Sequence, residues 1–183
     1  MSTSRLYKVE AVILKRKNIG EADRMLTIFT KEYGKLVVVA KGIRKITSRR
    51  APHLEVFSQV ILMLHKGKTR DILTEASLVD GFQNLRRDLI LVNTTYYLCE
   101  LIDMLLAEKQ EHRDVYALLT SSIAALNANH YGHIYYSEQF AITLLHLLGF
   151  LPPERTLPSQ HIQQFIERIT ERKMKTYQFL TKS

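Results

Sequence analysis

The apolar pattern of this chain changes period once, near Asp80-Gly81, and that change divides what its two parts can fold into. Before it, Tyr7, Val9, Ala11 and Ile13 alternate with Lys8, Glu10 and Val12, the two-residue period of a half-buried strand. Arg24 to Thr30 reads as a second strand, closed by Lys31-Glu32-Tyr33-Gly34, a short turn that ends on glycine. Leu36 to Ala40 is a third, rich in β-branched residues and apolar on both faces. Val56 to Leu64 is a fourth, and His65-Lys66-Gly67-Lys68 turns into a fifth, Ile72 to Ala76. Strands at this regular spacing, without long helices between them, predict a small closed barrel.

From Asn84 onward apolar residues recur at steps of three and four: Leu98, Leu101, Ile102, Leu105 and Leu106, then Val115, Leu118, Leu119 and Leu126. Phe140 to Leu148 is apolar on most faces, which predicts a central, buried helix stopped by Leu151-Pro152-Pro153. A last helix is expected from Ser159, a candidate N-cap, with Ile162, Phe165, Ile166 and Ile169 on one side. The class is therefore α+β with more than one domain: a barrel over 1–80 and an all-α domain over 81–183.

At 183 residues the chain is long enough to bury a core, and 46% hydrophobic with 24% charged residues describes a globular protein. The single cysteine, Cys99, excludes an intramolecular disulfide framework and a four-cysteine zinc site. It lies in an apolar helical pattern and is expected to be a packing residue. Near the start, Ala11 to Leu14 is too short an apolar run for a secretion signal. Phe140 to Leu151 is too short to span a bilayer. No membrane association and a cytoplasmic location are the expectations.

Charge is segregated. Residues 1–80 hold 16 Lys and Arg against 8 Asp and Glu, whereas residues 81–183 hold 10 of each. Between Tyr33 and Leu54 there is no acid, yet Lys35, Lys41, Arg44, Lys45, Arg49 and Arg50 all fall there. Surfaces normally mix signs, so this arrangement creates a field directed at polyanions, and nucleic acid is the polyanion it points to. Gly42 would let a phosphate approach the backbone, and Thr47 and Ser48 add hydroxyl donors. Such contacts hold a strand without reading its sequence. If those six basic residues all neutralised phosphates on single strands, log K would fall with log salt at a slope of roughly −4. Lys66, Lys68 and Arg70 form a second basic edge before the fifth strand. Tyr7 and Tyr33 are either stacking platforms for bases or half-buried packing residues.

Other motifs carry less. Gly67-Lys68-Thr69 imitates the end of a phosphate-binding loop, but Leu62 stands where that motif needs glycine, and a strand follows instead of a helix. His130 and His133 lack a third metal ligand at convincing spacing. Glu21 and Asp23 could hold Mg²⁺ in a small nuclease, though a solvated turn explains them more simply. No nucleophilic triad can be assembled, so no enzyme is expected.

Asn18 to Arg24, Thr27 to Thr30, Glu32 to Lys35 and Ala40 to Arg44, followed in order by His53 to Phe57 and Asp71 to Ala76, resemble the N-terminal region of the RecO family of recombination mediators. Leu147 to Pro152 and the closing Lys173 to Leu180 are similar to the family's helical half and its last helix. The resemblance implies an N-terminal five-stranded OB-fold, with binding of single- and double-stranded DNA and annealing of complementary strands. It also implies help in loading a RecA-type recombinase onto strands coated by single-strand-binding protein. The partners it implies are RecR and the acidic C-terminal tail of single-strand-binding protein, and the implied location is the nucleoid. One departure concerns a four-cysteine zinc module that many members carry: here Pro152 to Pro158 runs into the terminal helix without cysteine. The module reads as deleted, and no zinc or other cofactor is expected. A bridging adaptor with weak DNA binding, and an RNA-binding barrel with the same charge logic, stand beside the mediator as alternatives.

Overall fold

A computed structural model describes residues 5–45, 50–128 and 133–177. Five antiparallel or parallel strands close into a barrel in the order β1-β2-β3-β5-β4: β1 (Leu6–Ile19), β2 (Asp23–Thr30), β3 (Gly34–Ala40), β4 (Gln59–His65) and β5 (Asp71–Asp80). β3 and β5 are the parallel pair, Val38 opposite Asp71. Side chains of one parity from every strand fill the interior, among them Val9, Ala11, Ile13, Leu26, Ile28, Val38, Val60, Leu62 and Leu73, all at most 1% exposed. This is the α+β architecture expected, with an OB-fold barrel first and helices after it.

β1 runs six residues past the expected end at Ile13, and the reason is a bulge. Its first half pairs with β4 (Leu6 to Val12) and its second with β2 (Ala11 to Ile19), the register shifting between Ile13 and Lys15. A bulge adds a residue and bends the strand. Val9, Ala11 and Ile13 face the barrel core, while Val12 and Leu14 are buried outside that core, so Ala11 to Leu14 are buried in succession and the alternation disappears. Lys15 to Asn18 then extend as an exposed arm. β4 begins at Gln59, three residues later than expected. Phe57 has a positive φ of 75°, and the 54–58 turn pairs with the β1 bulge through Phe57 N–H to Ile13 O (2.8 Å) and Ile13 N–H to Ser58 O (3.2 Å). β5 continues to Asp80, past the expected Ala76, with mostly exposed residues.

The chain divides into two compact units, residues 1–81 with 107–113 and residues 82–106 with 114–183. The 107–113 segment straps the β2–β3 turn of the barrel. Lys109 N–H donates to Lys35 O at 2.9 Å, and Glu108 bridges Lys35 in parallel. Gly34, at φ 66°, comes so close to the strap that a Cβ would lie 1.8 Å from the Gln110 carbonyl oxygen.

The helical unit contains α1 (Leu89–Leu105), α2 (Arg113–Ala128, from Asp114), α3 (His133–Leu147) and α4 (Ser159–Thr170). Asp88 caps α1 by accepting from the N–H groups of Ile90 and Leu91. The central helix is α1, not the segment starting at Phe140: it buries nine residues, including Cys99 and Leu101, and packs on α3 and α4. α3 buries one stripe, Ser137, Phe140, Ala141, Leu144 and Leu145, and leaves Leu147 exposed. Ser159 is the first helical residue, and the N-cap is Pro158, whose side chain makes no capping bond. The segment expected to form the last helix is irregular from Arg172 to Thr176, and residues 178–180 lie outside the described part. Glu100 fixes the irregular part by accepting from the N–H groups of Lys175 and Thr176.

Candidate nucleic-acid interface

The β1–β2 hairpin and the loop after β3 are built into one basic surface. Asp23 Oδ1 accepts the Gly42 backbone N–H at 2.8 Å, and Arg44 N–H donates to Ala22 O at 2.9 Å. Arg44 Nη1 reaches Gly20 O at 3.2 Å. Lys41, Arg44 and Lys45 are thereby presented to solvent on a loop fixed against the hairpin. The Gly42 N–H is held by Asp23, which gives that carboxylate a structural task.

The hairpin contributes cations that sequence reasoning missed. Lys15, Arg16 and Lys17 are exposed on the β1 arm. Arg16 sits opposite Leu26 and Asn18 opposite Arg24, so Arg16 and Arg24 share a face. Arg24 Nε donates to Asn18 Oδ1 at 3.1 Å, and Arg16 Nη1 pairs with Glu55 Oε1 at 2.5 Å. Partial burial, then the like charges of Arg16 and Arg44, hold the Arg24 guanidinium below its usual range, with Glu55 opposing the fall. Arg24 thus lies within electrostatic reach of two further guanidinium groups and of the Glu55 carboxylate. The signal was present as Lys15-Arg16-Lys17, but it lies past the point where the strand period ends.

Two residues of the expected set serve elsewhere. Lys35 is only 7% exposed, its backbone held under the 108–109 strap, so it does not face solvent. Arg50 spends its guanidinium on backbone carbonyls, Nη1 to Leu73 O (3.0 Å) and Thr74 O (3.2 Å), Nη2 to Lys41 O (2.9 Å). It fastens the far side of the basic loop to β5. Arg49, Thr47 and Ser48 lie outside the described residues.

Lys66, Lys68 and Arg70 are exposed but do not join the first group. Because Val38 faces Asp71 in the parallel pair, the 66–70 turn lies toward the start of β3, whereas the 41–45 loop leaves from its end. Here Tyr7 plugs the barrel: its hydroxyl donates to Asp71, which also accepts the Gly67 N–H at 3.2 Å. Burial first, then that bond and the Asp71 charge, push the Tyr7 phenol well above its usual range. Tyr7 is therefore a packing residue. Tyr33 stands on it edge to face, ring centroids 5.2 Å apart, and is 46% exposed, with Lys66 Nζ 5.8 Å from the Tyr7 ring centre. Of the two tyrosines, Tyr33 is the one that exposes its ring.

Among the described residues no three His, Cys, Asp or Glu side chains gather as a metal site, and no helix is long and apolar enough to cross a membrane. His130 lies outside the described part.

Family comparisons bear on the order of barrel and helices. Residues 1–82 match the family described as recombination protein O N terminal, and residues 86–155 match recombination protein O C terminal. The DNA repair protein RecO of Roseiflexus sp. (strain RS-1) is 43% identical over 124 residues, covering 68% of this chain and 44% of that protein. The RecO of Symbiobacterium thermophilum is 33% identical over 147 residues, 80% of this chain and 58% of its own. That of Dehalococcoides mccartyi is 30% identical over 155 residues, 85% and 61%. The chain spans about half the length of the curated relatives it matches. With both halves of one family matched in order, an OB-fold barrel in front and helices behind, this chain belongs to the recombination protein O family of DNA repair proteins.

Proposed function

We propose that this chain is a non-enzymatic recombination mediator whose barrel, within residues 1–80, binds single- and double-stranded DNA. The primary surface comprises Lys15, Arg16, Lys17, Arg24, Lys41, Arg44 and Lys45, with Arg49 beside them in sequence. Lys66, Lys68 and Arg70 form a secondary edge, with Tyr33 as a stacking platform. The observation that carries this reading is the exposure of Lys41, Arg44 and Lys45 on a loop tied to the β1–β2 hairpin through Asp23 and Ala22, with Lys15, Arg16 and Lys17 exposed on that same hairpin. A loop already fixed in place meets phosphates at a reduced ordering cost.

Annealing on such a surface needs no nucleotide. Cations offset the repulsion between two backbones, and base pairing supplies the drive. From there the chain would help to load a RecA-type recombinase onto strands coated by single-strand-binding protein, at the nucleoid. The helical part, 81–183, would serve the partners RecR and the acidic tail of single-strand-binding protein. In support, a groove of about 520 Å³ beside α4 is lined by Arg155, His161, Phe165 and Arg168, cations and a ring suited to an acidic peptide. The same groove favours the second reading, a bridging adaptor with weak DNA binding.

Annealing of two complementary labelled oligonucleotides by the purified chain, without ATP or metal and across a salt series, tests the proposal. Acceleration that salt suppresses supports a mediator. No acceleration at low salt, with retained binding of a tail peptide, replaces it with the adaptor.

A further inference from the structure

Glu55 is the first acid after the acid-free stretch that ends at Leu54, and it is placed against the basic surface. Its backbone is fixed. Leu54 is fully buried, Ser58 N–H donates to Glu55 O at 3.2 Å, and Phe57 N–H binds Ile13 O at 2.8 Å. From that fixed turn the carboxylate reaches Arg16 Nη1 at 2.5 Å, with the two side chains 37% (Arg16) and 44% (Glu55) exposed.

A carboxylate oxygen satisfies a guanidinium in the way a phosphate oxygen does. A pair this exposed is weakly held and readily exchanged. Arg16 lies beyond the bulge, on the arm that leaves the core. We propose that Glu55 is a built-in competitor for DNA phosphate, occupying Arg16 in the free protein and giving it up when a strand binds. The inference rests on the DNA-binding reading of this surface.

Its consequences are quantitative. Wild type must break one ion pair to form one phosphate contact, so Arg16 adds little to net affinity. With Glu55→Gln, Arg16 starts unpaired and its phosphate contact releases one more counterion, steepening the salt slope by about 0.7 on single strands. That corresponds to a gain of about fivefold at 0.1 M salt relative to 1 M.

The test is fluorescence anisotropy of the full chain with a labelled homothymidine oligonucleotide across a salt series. The variants are Glu55→Gln, Arg16→Gln, the double variant, and Glu21→Gln as a control for a general change of field. Expected is a tighter, steeper curve for Glu55→Gln, a smaller shift for Glu21→Gln, and a larger loss from Arg16→Gln in the Glu55→Gln background than in wild type. Equal shifts for Glu55→Gln and Glu21→Gln without coupling to Arg16, on a wild type whose binding is salt-dependent, would overturn the competitor and leave the interface standing. Absence of salt-dependent binding in every variant would overturn both.

Discussion

The carboxylate of Asp23 holds the backbone N–H of Gly42 at 2.8 Å, so an acidic residue organises a basic loop. This separates two effects that usually coincide. Asp23→Asn keeps an acceptor oxygen and removes a negative charge, so it should bind DNA more tightly than wild type. Asp23→Ala removes the same charge and the anchor, so it should bind more weakly than Asp23→Asn and lose about 1 kcal/mol of stability. Anisotropy titrations and urea midpoints on both variants decide it; equal affinities would mean that the anchor has no bearing on binding.

Arg44 and Arg50 are neighbours in the same basic stretch with opposite expected roles. Reversing Arg44 and Lys45 to Glu should weaken binding to all DNA sequences about equally, flatten the salt slope, and leave the unfolding midpoint nearly unchanged. Arg50→Ala should instead lower stability by about 1–3 kcal/mol, because the carbonyls of Leu73, Thr74 and Lys41 lose their charged donor. Wild-type affinity and slope in the Arg44 and Lys45 reversal would count against this surface.

Tyr33→Ala should reduce affinity for single strands by on the order of 1–3 kcal/mol for the one stacked base, while affinity for duplex DNA, whose bases are already stacked, changes little. Equal losses on both substrates would show that Tyr33 supports the turn instead of a base.

Gly34 and Gly20 provide a matched comparison. Both have positive φ, but an added Cβ at Gly20 meets nothing within 4 Å, whereas at Gly34 it collides with the strap. Gly20→Ala should cost about 1 kcal/mol for its backbone conformation alone, and Gly34→Ala at least about twice that. Chemical denaturation of the two variants checks the difference, and similar midpoints would remove the strap from the account.

Glu167 supplies an acid-range signature in the helical unit. The bond from Lys173 first, then the Met174 N–H and Gln163, hold its carboxyl down to about 2. Its ordinary value is about 4.3. A carboxyl depressed on folding stabilises the native state above the unfolded value, and that contribution is lost as pH falls through 4 toward 2. Melting temperatures of wild type and Glu167→Gln should therefore differ at neutral pH and converge near pH 2. A constant gap across that range would refute the linkage.

The barrel was legible in the sequence because each strand faces a common interior and its apolar residues must alternate to do so. The alternation failed where other physics took over. From Ala11 to Leu14 four residues in a row are buried, because Val12 and Leu14 are covered outside the barrel core, and at Val56-Phe57 buried apolar residues belong to a turn with positive φ. Charge segregation located the basic surface but could not rank its members. Lys35 and Arg50 are as basic in sequence as Arg44, yet one lies under a strap that arrives from more than seventy residues away and the other is spent on carbonyls of β5. Long-range contacts of that kind leave no local mark. Arg16 and Arg24 were missed for the converse reason, since only the hairpin register places them on one face.

The strap also means that the barrel is not one continuous stretch of chain. Its closing piece, 107–113, is encoded between two helices of the other unit, so the polypeptide passes from unit to unit three times. A fragment ended at Gly81 would keep all five strands and still lack the piece that covers Gly34 and Lys35. The buried lysine would then be uncovered and add a cation that the full chain does not present. DNA binding by such a fragment would overstate the surface, and a cut at the 81–82 link would leave the barrel's 107–113 piece on the helical fragment.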